Sequence, residues 1–198
     1  MQIQPRPIVL VHGLWDTPRV FNRLSKELEQ KGFSVFIPHL PHKYGAISIR
    51  NLANDLEAYI LDKFGSEKLI DLLGFSMGGL ISRFWLQKMG GALRTNRFVS
   101  VGSPHQGTFT AQLIPACLFE GIAEMKRGSR FLRELGNDVY LLRNVECISF
   151  YSATDLMVFP GMQAVLPIGK IFPIPVLTHK GLIHSQLSIK LIVKEILS

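Results

Sequence analysis

Six short apolar runs recur along the chain, each followed by a turn or a helical pattern. They span Pro7–His12, Phe33–Pro38, Lys68–Gly74, Arg97–Gly102, Val145–Ser152 and Phe172–Thr178. Ile8-Val-Leu-Val11 and Leu69-Ile-Asp-Leu-Leu73 are continuous rather than alternating, the pattern of strands covered on both faces. Between the runs the apolar period becomes that of a helix. Pro18 to Lys31 aligns Val20, Phe21, Leu24 and Leu28 and stops at Gly32. Ile49 to Phe64 aligns Leu52, Leu56, Tyr59 and Ile60 and stops at Gly65. Met77 to Met89 carries Leu80, Ile81, Phe84 and Trp85, and Ser185 to Leu197 carries Leu187, Leu191, Ile192 and Ile196. Strand and helix in alternation predict an α/β fold: a mainly parallel sheet of about six strands with helices on both faces.

One domain is expected over residues 1–198, with no repeat or linker. Residues 109–144 interrupt the rhythm. They hold two weaker helical pieces, near Ala111–Met125 and Ser129–Leu135, joined by Arg127-Gly128. This insertion is expected to act as a short helical cap over a site at the carboxyl edge of the sheet.

Composition narrows the class. With 47% hydrophobic and 19% charged residues among 198, the chain is neither disordered nor short of a core. The two cysteines, Cys117 and Cys147, fit no metal spacing and read as small core or near-core residues, with their pairing left open. The longest stretch free of Asp, Glu, Lys and Arg, Phe98 to Phe119, contains two prolines, two glycines and several polar residues, too broken to cross a membrane. The start, Met1-Gln-Ile-Gln-Pro-Arg-Pro7, has no charged segment followed by an apolar run and a cleavage site, so a cytoplasmic protein is expected. Net charge is +7, from 22 basic and 15 acidic residues, with one cluster at Lys126, Arg127, Arg130 and Arg133. No nucleic-acid-binding signature accompanies it. Scattered surface charge is the plain reading of the surplus, and the hydrophobic insertion beside the cluster suggests peripheral contact with an anionic membrane surface.

Gly74-Phe-Ser-Met-Gly78 is a Gly-x-Ser-x-Gly match, followed by Gly79. The bare pattern is not rare, but here it lies where an apolar strand hands over to an amphipathic helix. A serine on that junction sits in a strained turn with its hydroxyl exposed above the sheet, and flanking glycines avoid collision with neighbouring elements. The positive end of the following helix favours developing negative charge. Ser76 is therefore the candidate nucleophile, and it needs a base and an acid.

Partners of such a serine follow it in the order acid, then histidine. Only Asp138 and Asp155 come later. Asp138 closes a weak helix in the insertion, whereas Asp155 follows an apolar strand and shares the carboxyl edge with Ser76, so Asp155 is the candidate acid. His105, His179 and His184 also follow. His184 lies immediately before the last helix, and His179 lies closer to the strand end. The turn His12-Gly-Leu14 directs the Leu14 amide inward, where it can converge with the Met77 amide as an oxyanion hole.

These residues resemble the α/β-hydrolase fold, and within it the small bacterial lipases and esterases. The resemblance is carried by Val9-Leu-Val-His-Gly-Leu14, Gly74-Phe-Ser-Met-Gly-Gly79, Gly102-Ser-Pro-His-Gln-Gly-Thr108, Asp155 and Leu-Ile-His184, with Gly128-Ser-Arg-Phe-Leu-Arg-Glu-Leu135 as a fifth segment. It implies a minimal α/β-hydrolase and a serine carboxylic ester hydrolase acting on lipid or small acyl esters through an acyl-enzyme. On this resemblance Ser76 attacks, His184 moves the proton, Asp155 orients the imidazole, and Leu14 and Met77 hold the oxyanion, with no metal or organic cofactor. An acyltransferase or thioesterase would use the same triad. A non-catalytic relative is disfavoured because no triad member is missing. The apolar residues Leu113, Ile114, Leu118, Phe119 and Val158 are expected to line the acyl site.

Overall fold

The computed structural model describes residues 5–115 and 119–198. Six strands, β1 (Ile8–Val11), β2 (Val35–Phe36), β3 (Ile70–Phe75), β4 (Thr95–Val101), β5 (Glu146–Tyr151) and β6 (Lys170–Pro173), form one sheet in the order β2-β1-β3-β4-β5-β6. Every pairing is parallel, so each connection must cross a face of the sheet and covers it on the way.

Two layers of core follow from strand alternation. Val9, Val11, Ile70, Leu72 and Phe98 face α2 (Ile49–Phe64) and α3 (Met77–Lys88), which contribute Leu52, Leu56, Ile60, Leu80, Ile81 and Trp85. Ile8, Leu10, Leu73, Phe75, Val99, Val101, Ile148 and Phe150 face the other way. There they pack with α1 (Asn22–Gln30) and α8 (Gln186–Leu197) through Leu24, Leu28, Ile189, Ile192 and Ile196. Two of the long helices, α2 and α8, begin at a serine. Ser48 accepts the Asn51 N–H and Ser185 accepts the Ser188 N–H, which satisfies donors that the first turn leaves free.

Several elements differ from the periodicity reading: β2 keeps only Val35–Phe36 of its apolar run, and Pro18–Phe21 ahead of α1 forms a 3-10 turn. The last strand lies at Lys170–Pro173 instead of 172–178. Pro173 and Pro175 cannot donate to a ladder, so pairing with β5 ends there and the chain leaves the edge. The long helix expected over Ala111–Met125 is two short ones, α4 (Phe109–Gln112) and α5 (Glu120–Glu124). Pro115 removes an amide and restricts the residue before it, which ends a helix at that point. α6 (Arg130–Asn137) follows, capped by Ser129, and Ile122, Met125, Phe131, Leu132 and Leu135 join the core on the α2–α3 side. Cys147 is a buried free thiol, and burial pushes its pKa up to about 12. Cys117 lies outside the described residues. Among the described residues no helix is long and apolar enough to cross a membrane.

Candidate active site

Ser76 stands between β3 and α3 with φ +54° and ψ −127°, a backbone region that side chains other than glycine seldom occupy and that costs energy to hold. Its surroundings enforce it. The Ser76 amide bonds Val101 O at 2.9 Å, and α3 runs so close beneath β1 that a Cβ on Gly78 would enter the carbonyl oxygen of Val11. On the opposite side, a Cβ on Gly13 would stand 2.7 Å from Ser76 Cβ and 3.3 Å from its Oγ. The β1–α1 turn therefore passes directly beside the serine, and that closeness brings Leu14 to it.

The turn is held by two imidazoles. Leu40 N–H donates to His12 Nε2 at 3.1 Å, so that nitrogen must stay unprotonated. Burial lowers the His12 pKa, with the neighbouring His42 and His39 adding to the effect, in keeping with that role. His42 Nε2 lies 3.3 Å from Asp16 O, and Asp16 N–H donates to Gly13 O. Met77, fully buried, is the first residue of α3, where leading N–H groups have no carbonyl within the helix to bond.

Asp155 follows β5 and is 1% exposed. Its Oδ1 accepts the Met157 and Val158 amides at 2.9 and 3.2 Å. Its Oδ2 lies 2.6 Å from Nδ1 of His179. The loop carrying His179 is sewn to the loop carrying Asp155, since Val176 O accepts the hydroxyls of both Ser152 and Thr154. The imidazole lies on the Phe75 ring, with centroids 4.9 Å apart and planes at 27°. Its Nε2 is buried and has no hydrogen-bond partner among the described residues.

The structure thus pairs Asp155 with His179, which corrects the expectation that His184 would take that place. His184 is exposed at the end of the one-turn helix α7 (Gly181–His184). That turn buries Leu182 and Ile183 in the core, and the next position on so short a helix faces water. Its backbone carbonyl accepts from Arg23.

Ser76 and His179 open into one cavity of about 310 Å³, whose wall includes Leu14, Ile114, Ile122, Met125, Met157 and Val158. Of the residues expected to line an acyl site, Ile114 and Val158 do so. Leu113 does not. It is 86% exposed, on the outer side of the turn that directs Ile114 inward. Phe119 packs half-buried against the core, and Leu118 lies outside the described residues. The sequence reading missed Trp15 and the Thr108–Thr110 pair. Met157 lies beside Val158 on the apolar loop Leu156–Met162, and both threonine hydroxyls donate to Met157 O and hold that loop against α4. At the rim Lys180 Nζ lies 3.3 Å from Asp16 Oδ1.

The Gly102–Thr108 motif sits behind the serine. His105 is buried, its Nε2 is 2.6 Å from Ser100 Oγ, and its carbonyl accepts from the buried Arg83. Burial and then the Arg83 charge push its pKa well down. Among the described residues no group of three His, Cys, Asp or Glu could hold a metal ion.

Comparison with known proteins agrees with this fold. The mature lipase BlEst2 of Bacillus licheniformis superposes with a TM-score of 0.78 at 17% identity, covering 98% of this chain and 92% of that one. Lipase B of Aspergillus fumigatus gives 0.77 at 18% identity, covering 98% of this chain and 53% of the fungal one. An α/β-hydrolase enzyme from a sediment metagenome of the Mar Chica lagoon gives 0.71 at 19%, with 96% and 90% covered. No curated protein matches by sequence. The family model for the alpha/beta hydrolase fold matches residues 6–144, and the chain belongs to that family.

Proposed function

We propose that the chain is a serine carboxylic ester hydrolase, with Ser76 as nucleophile, His179 as base and Asp155 as its orienting acid. The observation that carries this reading is the shared cavity of Ser76 and His179, with the far nitrogen of the imidazole bound to a buried carboxylate. A carboxylate on Nδ1 keeps the proton there, leaves Nε2 free to accept, and stabilises the imidazolium once formed. Ser76 Oγ adds to the ester carbonyl as its proton passes to His179 Nε2. The proton then goes to the departing alcohol, leaving an acyl-enzyme that water hydrolyses through the same imidazole. The Leu14 and Met77 amides hold the oxyanion, each contributing about 2.7–4 kcal/mol of the transition-state stabilisation.

The mostly apolar wall favours an acyl chain, and about 310 Å³ is at the small end for ligand cavities, which favours short or medium acyl groups. Around the mouth Trp15, Phe109, Met157 and Phe159 are each roughly half exposed, and the Arg127 guanidinium lies 4.4 Å over the Phe109 ring. Apolar side chains with a cation among them suit a peripheral contact with an anionic lipid surface. Binding to anionic vesicles that weakens with salt is the expected result, and binding indifferent to salt removes the electrostatic part.

The test of the main reading is p-nitrophenyl ester hydrolysis across acyl lengths, comparing wild type with Ser76→Ala. Loss of most of the rate is expected, with a remnant from the oxyanion donors. A Ser76→Ala protein that keeps full activity overturns it. Products analysed with added alcohol separate hydrolysis from acyl transfer.

A further inference from the structure

Resting on the reading of Ser76 and His179 as nucleophile and base, we propose that Phe75 is a positioning residue for the base. Its ring fixes the plane of the His179 imidazole and favours the imidazolium formed when Ser76 Oγ gives its proton to Nε2. A hydrogen bond from Nδ1 to Asp155 leaves the ring free to swing about that line. Two further contacts remove the swing. One face lies on Phe75 at 4.9 Å between centroids. One edge lies against Gly102, where an added Cβ would stand 3.2 Å from Cε1 and 3.4 Å from Nδ1.

The placement follows from strand alternation. Leu73 and Phe75 face the α1–α8 side, whereas Ile70 and Leu72 face α2 and α3. The residue before the nucleophile therefore points away from the cavity, towards the face over which the His179 loop returns. Phe75 is fully buried in that core, so its ring is a fixed platform, and it is not among the residues lining the cavity. An aromatic face carries partial negative charge and attracts a cation above it. Neutral imidazole gains little from this and imidazolium gains more, so the contact strengthens as the proton arrives.

Of the charged and titratable groups near the imidazole, Asp155 bonds Nδ1, while Lys180, next in the chain and paired with Asp16, shares the cavity wall with His179 and Ser76.

The test replaces Phe75 with leucine and, separately, with mono-, di- and trifluorophenylalanine, which keep the ring shape and progressively drain its face. For Phe75→Leu, kcat falls about tenfold with KM within twofold, and the acid limb of the kcat/KM profile moves to lower pH. The fluorinated series shows the same two effects in graded form. An NMR titration of His179 in the Ser76→Ala background, run across that series, reads the contact without any activity. Its midpoint falls with fluorination even if the hydrolase reading fails, whereas failure of that reading shows in Ser76→Ala kinetics alone. Should the leucine protein not fold, the fluorinated series decides. A flat kcat, an unmoved acid limb and an unmoved NMR midpoint across the series overturn the proposal, and so does a kcat loss without any pH displacement, which marks packing alone.

Discussion

Asp155 Oδ2 and His179 Nδ1 are 2.6 Å apart, with the carboxylate closed to water and its other oxygen held by two backbone amides. Such a bond is short and strong because one partner is ionised and water does not compete. On the proposed mechanism Asp155→Asn reverses the preferred tautomer, and kcat should fall about 10⁴-fold. His179→Ala should be comparably inactive, whereas His184→Ala, at an exposed position, should stay within about twofold of wild type. Ester hydrolysis by the three purified variants checks the order.

Gly13→Ala tests the closeness of the β1–α1 turn to the serine. A Cβ there meets Ser76 Cβ at 2.7 Å, nearer than real carbons approach, so the serine or the Leu14 turn must move. A displacement approaching 1 Å in a catalytic group costs about 100-fold. We expect that loss in kcat with a urea midpoint close to wild type, because the contact is local.

Arg83 is 1% exposed and bonds Gln87 Oε1, His105 O and Leu135 O at 2.8, 3.2 and 2.9 Å. It links α3 to the Gly102–Thr108 segment and to α6. Burial lowers its pKa to about 10, which still leaves a cation at neutral pH. Arg83→Met should destabilise the fold by about 2–4 kcal/mol by stranding buried acceptors, as measured by urea unfolding.

Glu124 ends α5, and its carboxylate accepts the Ile49 N–H at 2.5 Å and pairs with Arg50 at 3.4 Å. Burial nonetheless raises its pKa from 4.5 to about 7, against the lowering effect of those two partners. Between about pH 4.5 and 7 the folded state keeps a proton that the unfolded chain has released, so this group's contribution to stability falls as pH rises through that window. His105 and His12, both lowered by burial, act in the opposite sense below their ordinary value of 6.5. The difference between wild type and Glu124→Gln isolates the carboxyl. The glutamine protein should gain about 1–2 kcal/mol relative to wild type between pH 5 and 8, read from urea midpoints across pH.

The two long crossover helices, α2 and α3, begin and end within one residue of the periodicity reading. Their apolar stripes, serine or glycine boundaries and length are local properties of the chain. The Ser76 turn was legible for a related reason, since the glycines around it answer to contacts that any strand–turn–helix of this kind must make. The β6 shift was not. Its pairing depended on which prolines met the neighbouring strand, a property of two distant segments at once. Within the insertion, residues 111–125 were overread as one helical piece because they have an apolar helical spacing that Pro115 interrupts.

Within this chain, then, the order of strands and helices, the strained Ser76 turn and the position of Asp155 after a strand were determined by the sequence itself, because period, glycine placement and chain order act over a few residues. The choice of histidine was not. Position 179 and position 184 are equally compatible with local rules, and the burial of Leu182 and Ile183 against the far face of the sheet decided which imidazole turned inward. That choice rests on long-range packing, the same packing that set Phe75 beneath the ring.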